Sequence, residues 1–437
     1  MFLSFEVRRA RKGDCLLLHY GSKASPKLML IDGGPGSVFT PQLRPRLDEI
    51  RTARGLGASD ALDVDVVMVS HIDDDHINGI LQMTKKLSDQ ERDGDPQFLT
   101  SKTLWHNSFD DLLKTTPKEL IEAGFGSASF TASLDNPIFD ADTAAQQVLA
   151  SVPQGRTLRD DAKFLHDSGH GWNVNDLAAG KLILADKKTK AKTIDGGLSV
   201  TVVGPMQPEL EALQKDHDKF VKAMKAGKAG PASLLAAYVD KSVANLSSIV
   251  MLVEAGARKI LLTGDARGDK ILEGLKMTKL LGAGATAKLK LDVLKVPHHG
   301  SSNNMELEFF KQVIADHYVF SGNGEHGNPE RETVEMLLTA RANDKFTMYF
   351  TYPIDEIDVA RKADWEKEQA KEKKKLAAAK KKKPAPKKLP KVRANWKASV
   401  NGLKELLDQD DPNVHKIEII TQDAEGHLIE LLDKINF

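Results

Sequence analysis

Cysteine is nearly absent: Cys15 is the single thiol in 437 residues. One thiol can neither close an intramolecular disulfide nor supply a thiolate cluster, so a disulfide-stapled secreted scaffold and a zinc ribbon are both excluded. Any bound metal must be held by His, Asp and Glu. No apolar run approaches the ~18–20 residues that cross a bilayer, and the opening MFLSFEVRRARKG reaches Arg8 before a long apolar stretch develops. A soluble, cytoplasmic protein with no membrane partner is expected. Aromatics are sparse at 6%, yet 41% of the chain is hydrophobic, enough at this length for the core of one large domain or two ordinary ones.

Net charge is lacking too, since 62 basic residues offset 62 acidic ones. The balance hides an uneven distribution. From Lys371 to Arg393, KEKKKLAAAKKKKPAPKKLPKVR holds eleven Lys, one Arg and one Glu, a local +11 that the rest of the chain cancels with −11. Ala and Lys favour helix as far as Lys383, Pro384, Pro386 and Pro390 break it beyond, and like-charge repulsion keeps the segment solvated. Alternating strands resume in HKIEIITQDAEGHLIELLD, around Ala424-Glu425-Gly426 as in a hairpin. The basic segment, about 360–394 with its flanks, therefore reads as an inserted arm, and 395–437 as a helix and hairpin completing the fold. Two readings of residues 371–393 stay open: a nucleic-acid contact, or a solvated linker without a partner.

Short apolar segments bounded by turn residues give the rest of the chain the look of a sheet-rich α/β protein. The opening FEVRRARKGDCLLLHYG suggests strands joined near Gly13-Asp14, and KLMLIDGGPG a strand ending at Asp32-Gly33-Gly34. Further strands are expected at Val64–Ser70, Leu198–Val203, Ser248–Val253, Lys259–Thr263, Leu291–Val296, Tyr318–Ser321 and Phe346–Thr351. Helices are expected from Pro208 (PELEALQKDHDKFVKAM), Asp269 (DKILEGLKMTKLL), Met305 (MELEFFKQVIADH) and Pro329 (PERETVEMLLTAR). The stretch 81–195 is polar and poor in period, and reads as an insertion or elaborated loop region.

The chemistry concentrates after the strand VDVVMVS, in His71-Ile72-Asp73-Asp74-Asp75-His76 followed by Asn78-Gly79. Carboxylates so crowded would repel one another without counter-charge, whereas one or two divalent cations at their centre turn the repulsion into ligation by carboxylates and imidazoles. A solvated acidic loop is the bland alternative.

HIDDDH with its following Asn-Gly resembles the second motif of the metallo-β-lactamase superfamily, in the HxDxDH form of the nuclease-like domain of the DNA-uptake protein ComEC and its soluble relatives. Asp32-Gly33-Gly34, Thr263-Gly264-Asp265-Ala266 and LKVPHHGSSNN (Leu294–Asn304) are similar to further motifs of that family, in order. So are Asn245-Leu246-Ser247-Ser248, Val203-Gly204-Pro205 and SGNGEHGNP (Ser321–Pro329). The resemblance covers most of the chain except its middle and the basic arm. It implies one domain over 1–437, a four-layer αββα sandwich with insertions and two divalent metal ions, zinc or manganese. His71 and Asp73 would ligate one ion, Asp75 and His76 the other, with Asp265 bridging them. A histidine of HHGS completes the second site, His298 being favoured and His299 its rival. Asp32 resembles the carboxylate that orients ligands from behind. A third-motif histidine lacks a clear match among His106, His166, His170 and His217, with His106 the best placed. For catalysis the resemblance points to Asp75, with Lys295, His299 and Ser301 as donors beside His298, although Lys295 alternates with strand residues in a way that also fits a solvent-facing side chain.

The implied activity is a phosphodiesterase or nuclease, with two cations acidifying a bridging water and clamping a phosphoryl oxygen. The alternatives are hydrolysis of a small ester, lactone or cyclic nucleotide, and a binding protein whose metal site is degenerate.

Overall fold

The computed structural model describes residues 1–57, 59–108, 143–211, 247–342, 344–381, 389–408, 414, 416–421 and 426–434. Strands buried on both faces read as unbroken apolar runs, and Cys15–Leu18, Leu28–Ile31 and Val250–Val253 are of this kind. The first sheet is built from β1 (Phe2–Arg8), β2 (Cys15–Ser22), β3 (Ser25–Gly33), β4 (Leu62–Val69), β5 (Leu99–His106), β6 (Gly171–Val174) and the late strand β15 (Gly426–Glu430), in the order β15-β1-β2-β3-β4-β5-β6. The second holds β7 (Lys192–Ile194), β8 (Leu198–Gly204), β9 (Val250–Ala255), β10 (Arg258–Leu262), β11 (Leu289–Lys295), β12 (Val313–Phe320), β13 (Thr347–Phe350) and β14 (Glu418–Thr421), in the order β14-β13-β12-β11-β10-β9-β8-β7. Both sheets are mixed. Strands β3 to β6 run parallel, as do β10 to β14, so their C-terminal ends gather loops along one edge.

Alternation along the strands sorts side chains into layers. Leu16, Leu18, Met29 and Ile31 from one sheet meet Met251, Val253, Ile260 and Leu262 from the other in a shared inner core. The opposite faces, with Leu17, Leu28 and Leu30, bury helices α1 (Arg44–Ala53), α2 (Asp74–Asp93) and α3 (Thr143–Asp167). Beyond the second sheet, Val250 and Leu252 lie under α4 (Gly268–Met277), α5 (Leu307–Gln312) and α6 (Arg331–Ala340). The fold is therefore the expected α/β sandwich, helices outside and two sheets within. Each fully buried Leu or Ile contributes about 1.5–3 kcal/mol relative to exposure.

Three expectations are corrected. The helix starting at Met305 stops at Gln312, and Val313–Phe320 forms β12 between β11 and β13. Pairing on both sides, with β-branched Val313, Ile314 and Val319 in the segment, outweighs the helical period of MELEFFKQ. The terminal hairpin does not form. β14 pairs parallel with β13, Thr347 opposite Glu418, while β15 pairs antiparallel with β1, Ser4 opposite Glu430. The two strands cover one edge of each sheet, which satisfies more backbone than a lone hairpin would. Finally, 81–195 is no mere loop region: it completes α2 and supplies β5, α3 and β6, with 109–142 outside the described residues. The segment after Pro208 is helical over 207–211, and its remainder, His217 included, lies outside them, as do Asn245 and Leu246.

The described first part of the basic arm lies in a long helix, α7 (Ile354–Lys381), against which residues 393–396 pack. Short helices α8 (Ala398–Asn401) and α9 (Leu403–Leu406) follow.

Candidate metal centre

The site lies at the seam of the two sheets, on the edge where the parallel strands end. From the first sheet, β4 delivers His71 and then the start of α2 with Asp73, Asp75 and His76. From the second, β10 delivers Asp265, and β11 delivers His298 and His299. The seam is closed by Ile249 donating its backbone N–H to Ser70 O at 2.8 Å. Gly33 and Gly79 let α2 lie on the end of β3, since a Cβ on Gly79 would fall 1.9 Å from Gly33 O. Asp32, His298 and His299 hold left-handed backbones at φ 57, 48 and 52°, strain of a kind that collects at functional sites.

Asp265 is the hub. Its Oδ2 faces His71 Nε2 at 3.8 Å and His298 Nε2 at 3.4 Å, and its Oδ1 faces His76 Nε2 at 3.3 Å and His299 Nε2 at 3.5 Å. Asp73 Oδ2 stands 3.6 Å from His71 Nε2, while Asp75 lies 4.0 Å from His76 Nε2 and 3.9 Å from His299 Nε2. These gaps are long for hydrogen bonds. The shorter of them, from His76, His298 and His299 to Asp265, lie near the ~3.3 Å that would separate two ligand atoms of a tetrahedral cation with bonds of ~2.0–2.1 Å. The Nε2 atoms of His71, His76 and His299 are buried and make no hydrogen bond among the described residues, as lone pairs reserved for a cation would be.

The Nδ1 edges are held from behind. His76 Nδ1 donates to Asp32 Oδ2 at 2.8 Å, and Asp32 also accepts from the backbone N–H and hydroxyl of Ser70, both at 2.7 Å. A carboxylate only accepts, so Nδ1 carries the proton and Nε2 is left to ligate. His299 Nδ1 lies 2.9 Å from Ser321 Oγ and 3.3 Å from Asp14 Oδ1. Asp14, Asp265, His76 and His299 together form a buried group that could hold a metal ion. Within it Asp14 faces the Nδ1 edges of both imidazoles, 3.9 Å from that of His76. Lys295 Nζ pairs with Asp14 Oδ2 at 2.6 Å. Burial pushes the Asp14 carboxyl up, but Lys295 first and His299 next outweigh it, and the group lies well below the usual carboxylate range.

All six expected ligands, His71, Asp73, Asp75, His76, Asp265 and His298, converge, with His299 among them. Lys295 is fully buried, against the solvent-facing alternative, and Ser301 Oγ donates to Glu330 at 3.3 Å. His106 is buried behind the cluster. Burial first, and the Arg159 charge next, push its pKa down to about 3, and no carboxylate lies within ion-pair reach of it among the described residues. His166 and His170 are engaged elsewhere, by Gly171 O and Glu91 at 2.6 Å each. Sequence reasoning missed Asp14; the signal was Lys12-Gly13-Asp14 at the strand junction, where a Cβ on Gly13 would meet Asp75 O at 1.9 Å. No family model matches the chain.

Proposed function

We propose that this chain is a divalent-metal-dependent hydrolase of the metallo-β-lactamase type, a phosphodiesterase whose substrate class is nucleic acid. The observation that carries the reading is the position of Asp265, one carboxylate with each oxygen turned to a separate pair of imidazoles. Oδ2 faces His71 and His298, with Asp73 beside His71, and Oδ1 faces His76 and His299, with Asp75 beside both. This arrangement supports a role for both histidines of HHGS, with His298 taking the part for which no third-motif histidine was evident. The mixed nitrogen and oxygen donors suit zinc or manganese.

Two cations, when bound, supply Lewis acidity toward a phosphoryl oxygen and a water acidic enough to attack near neutral pH. The protein's own groups do the rest. Asp32 and Asp14 fix ring orientation and tautomer, and Lys295 keeps Asp14 charged. Lys12 Nζ, which donates toward His326 Nε2 at 3.4 Å at the rim, is a donor for a phosphate oxygen.

Purified chain incubated with labelled single- and double-stranded DNA and RNA is expected to cleave at least one of them with Mn²⁺ or Zn²⁺. EDTA or Asp75→Ala should abolish cleavage. No metal-dependent cleavage in any combination, with Asp75→Ala indistinguishable from the parent, would sink the proposal.

A further inference from the structure

The Lys-rich arm is rooted on the rim of the metal site. A Cβ on Gly324 would lie 2.3 Å from Ile357 O in the first turn of α7, and Arg361 Nε donates to Gly327 O at 3.1 Å. The turn so gripped carries His326, the neighbour of Lys12. From Arg361 to Glu372 the returning chain is clipped to the helix. Trp365 Nε1 donates to Ala394 O and Gln369 Nε2 to Arg393 O, each at 2.9 Å, while Arg393 N donates to Glu372 at 2.7 Å. The Trp365 and Trp396 rings meet edge to face at 5.8 Å, with Arg393 over one and Arg361 over the other.

Past Glu372 the character changes. Among the described residues the arm's ion pairs stop at Lys371–Glu368 and Arg393–Glu372, and Lys373, Lys374, Lys375, Lys380 and Lys381 are all exposed on helix that contains no acid after that point. A helix rises ~1.5 Å per residue, so Lys375 and Lys381 stand about 21 and 30 Å along the axis from Arg361. A clipped stalk cannot fold its charges back to neutralise the acidic site beside its root.

The geometry points to a spacing arm: a cationic tip held at a set distance from the metal site, which selects long nucleic acid over short phosphodiesters. At ~3.4 Å per base pair, tip and root together span about 6–9 base pairs. Shorter duplexes engage one end only, and longer ones engage both. The consequence for cleavage rests on the phosphodiesterase reading; the binding consequence does not.

The test is anisotropy of labelled DNA duplexes, from about 4 to about 30 base pairs so as to bracket that span, binding the full chain in EDTA at several salt concentrations. Affinity is expected to rise at least about tenfold once length passes the span. With Lys373, Lys374, Lys375, Lys380 and Lys381 all changed to Gln, which keeps helix propensity, the step should vanish. The slope of log K against log salt should then shrink by about 4. Three results overturn the inference: no step in the parent, a substituted chain that binds as the parent does, or tighter capture of anionic phosphatidylserine vesicles than of DNA. A length step without metal-dependent cleavage removes the nuclease reading and leaves the arm standing, whereas cleavage without a length step does the reverse.

Discussion

Asp14 keeps its charge where water does not reach, and Lys295 is the group that allows it. Removing one partner of a buried ion pair strands the other, at about 3–5 kcal/mol. Lys295→Met and Asp14→Asn should each lower the urea midpoint of EDTA-treated protein, while the double substitution costs clearly less than the sum of the two. Strict additivity would show that the pair is not coupled. Asp14→Asn should also weaken Zn²⁺ affinity about 10–100-fold in competition with a chromophoric chelator, the usual effect of losing a carboxylate that orients a ligating histidine. His71, Asp73, Asp75 and His76 were legible in the sequence because they are local, crowded and set after an apolar strand. Asp14 was not, being one acid between two strands whose importance arises only when β11 brings Lys295 and His299 against it.

Helix α2 binds its chemistry to its packing. Its first turn carries Asp75 and His76, and its seat on β3 depends on two glycines touching backbone to backbone. Gly79→Ala must push α2 off Gly33, at a cost of more than about 2 kcal/mol in the manner of an overpacked core, and should carry His76 away from Asp265. Urea denaturation and metal uptake should therefore both suffer; normal uptake by a destabilised variant would separate the seat from the site. Elements with a strong period, such as α4 and α6, were visible in the sequence. β12 was not, because Val313–His317 extends a helical pattern and only pairing with β11 and β13 decides its state.

At the scale of the molecule, the sandwich was readable from its apolar runs and the closure of its edges was not. The final two strands look like partners in sequence, yet they serve different sheets, a choice fixed by distant edges, β13 for β14 and the N-terminal β1 for β15. Deleting 426–437 removes the strand that covers β1, so the truncated chain should melt roughly 5 °C or more below the parent and self-associate on size exclusion through the bared edge. A truncated chain that stays monomeric at the parental Tm would show that β15 protects nothing. The seam between the sheets has a thermodynamic side as well. His71, Asp73, Asp75 and His76 belong to one sheet and Asp265, His298 and His299 to the other, so a cation bound among them would rivet the two halves together. Its affinity for the folded chain is then also folding free energy, about 2.7 kcal/mol at a hundred times the Kd. On the proposed reading, chelation would loosen the sandwich in the same act that stops hydrolysis.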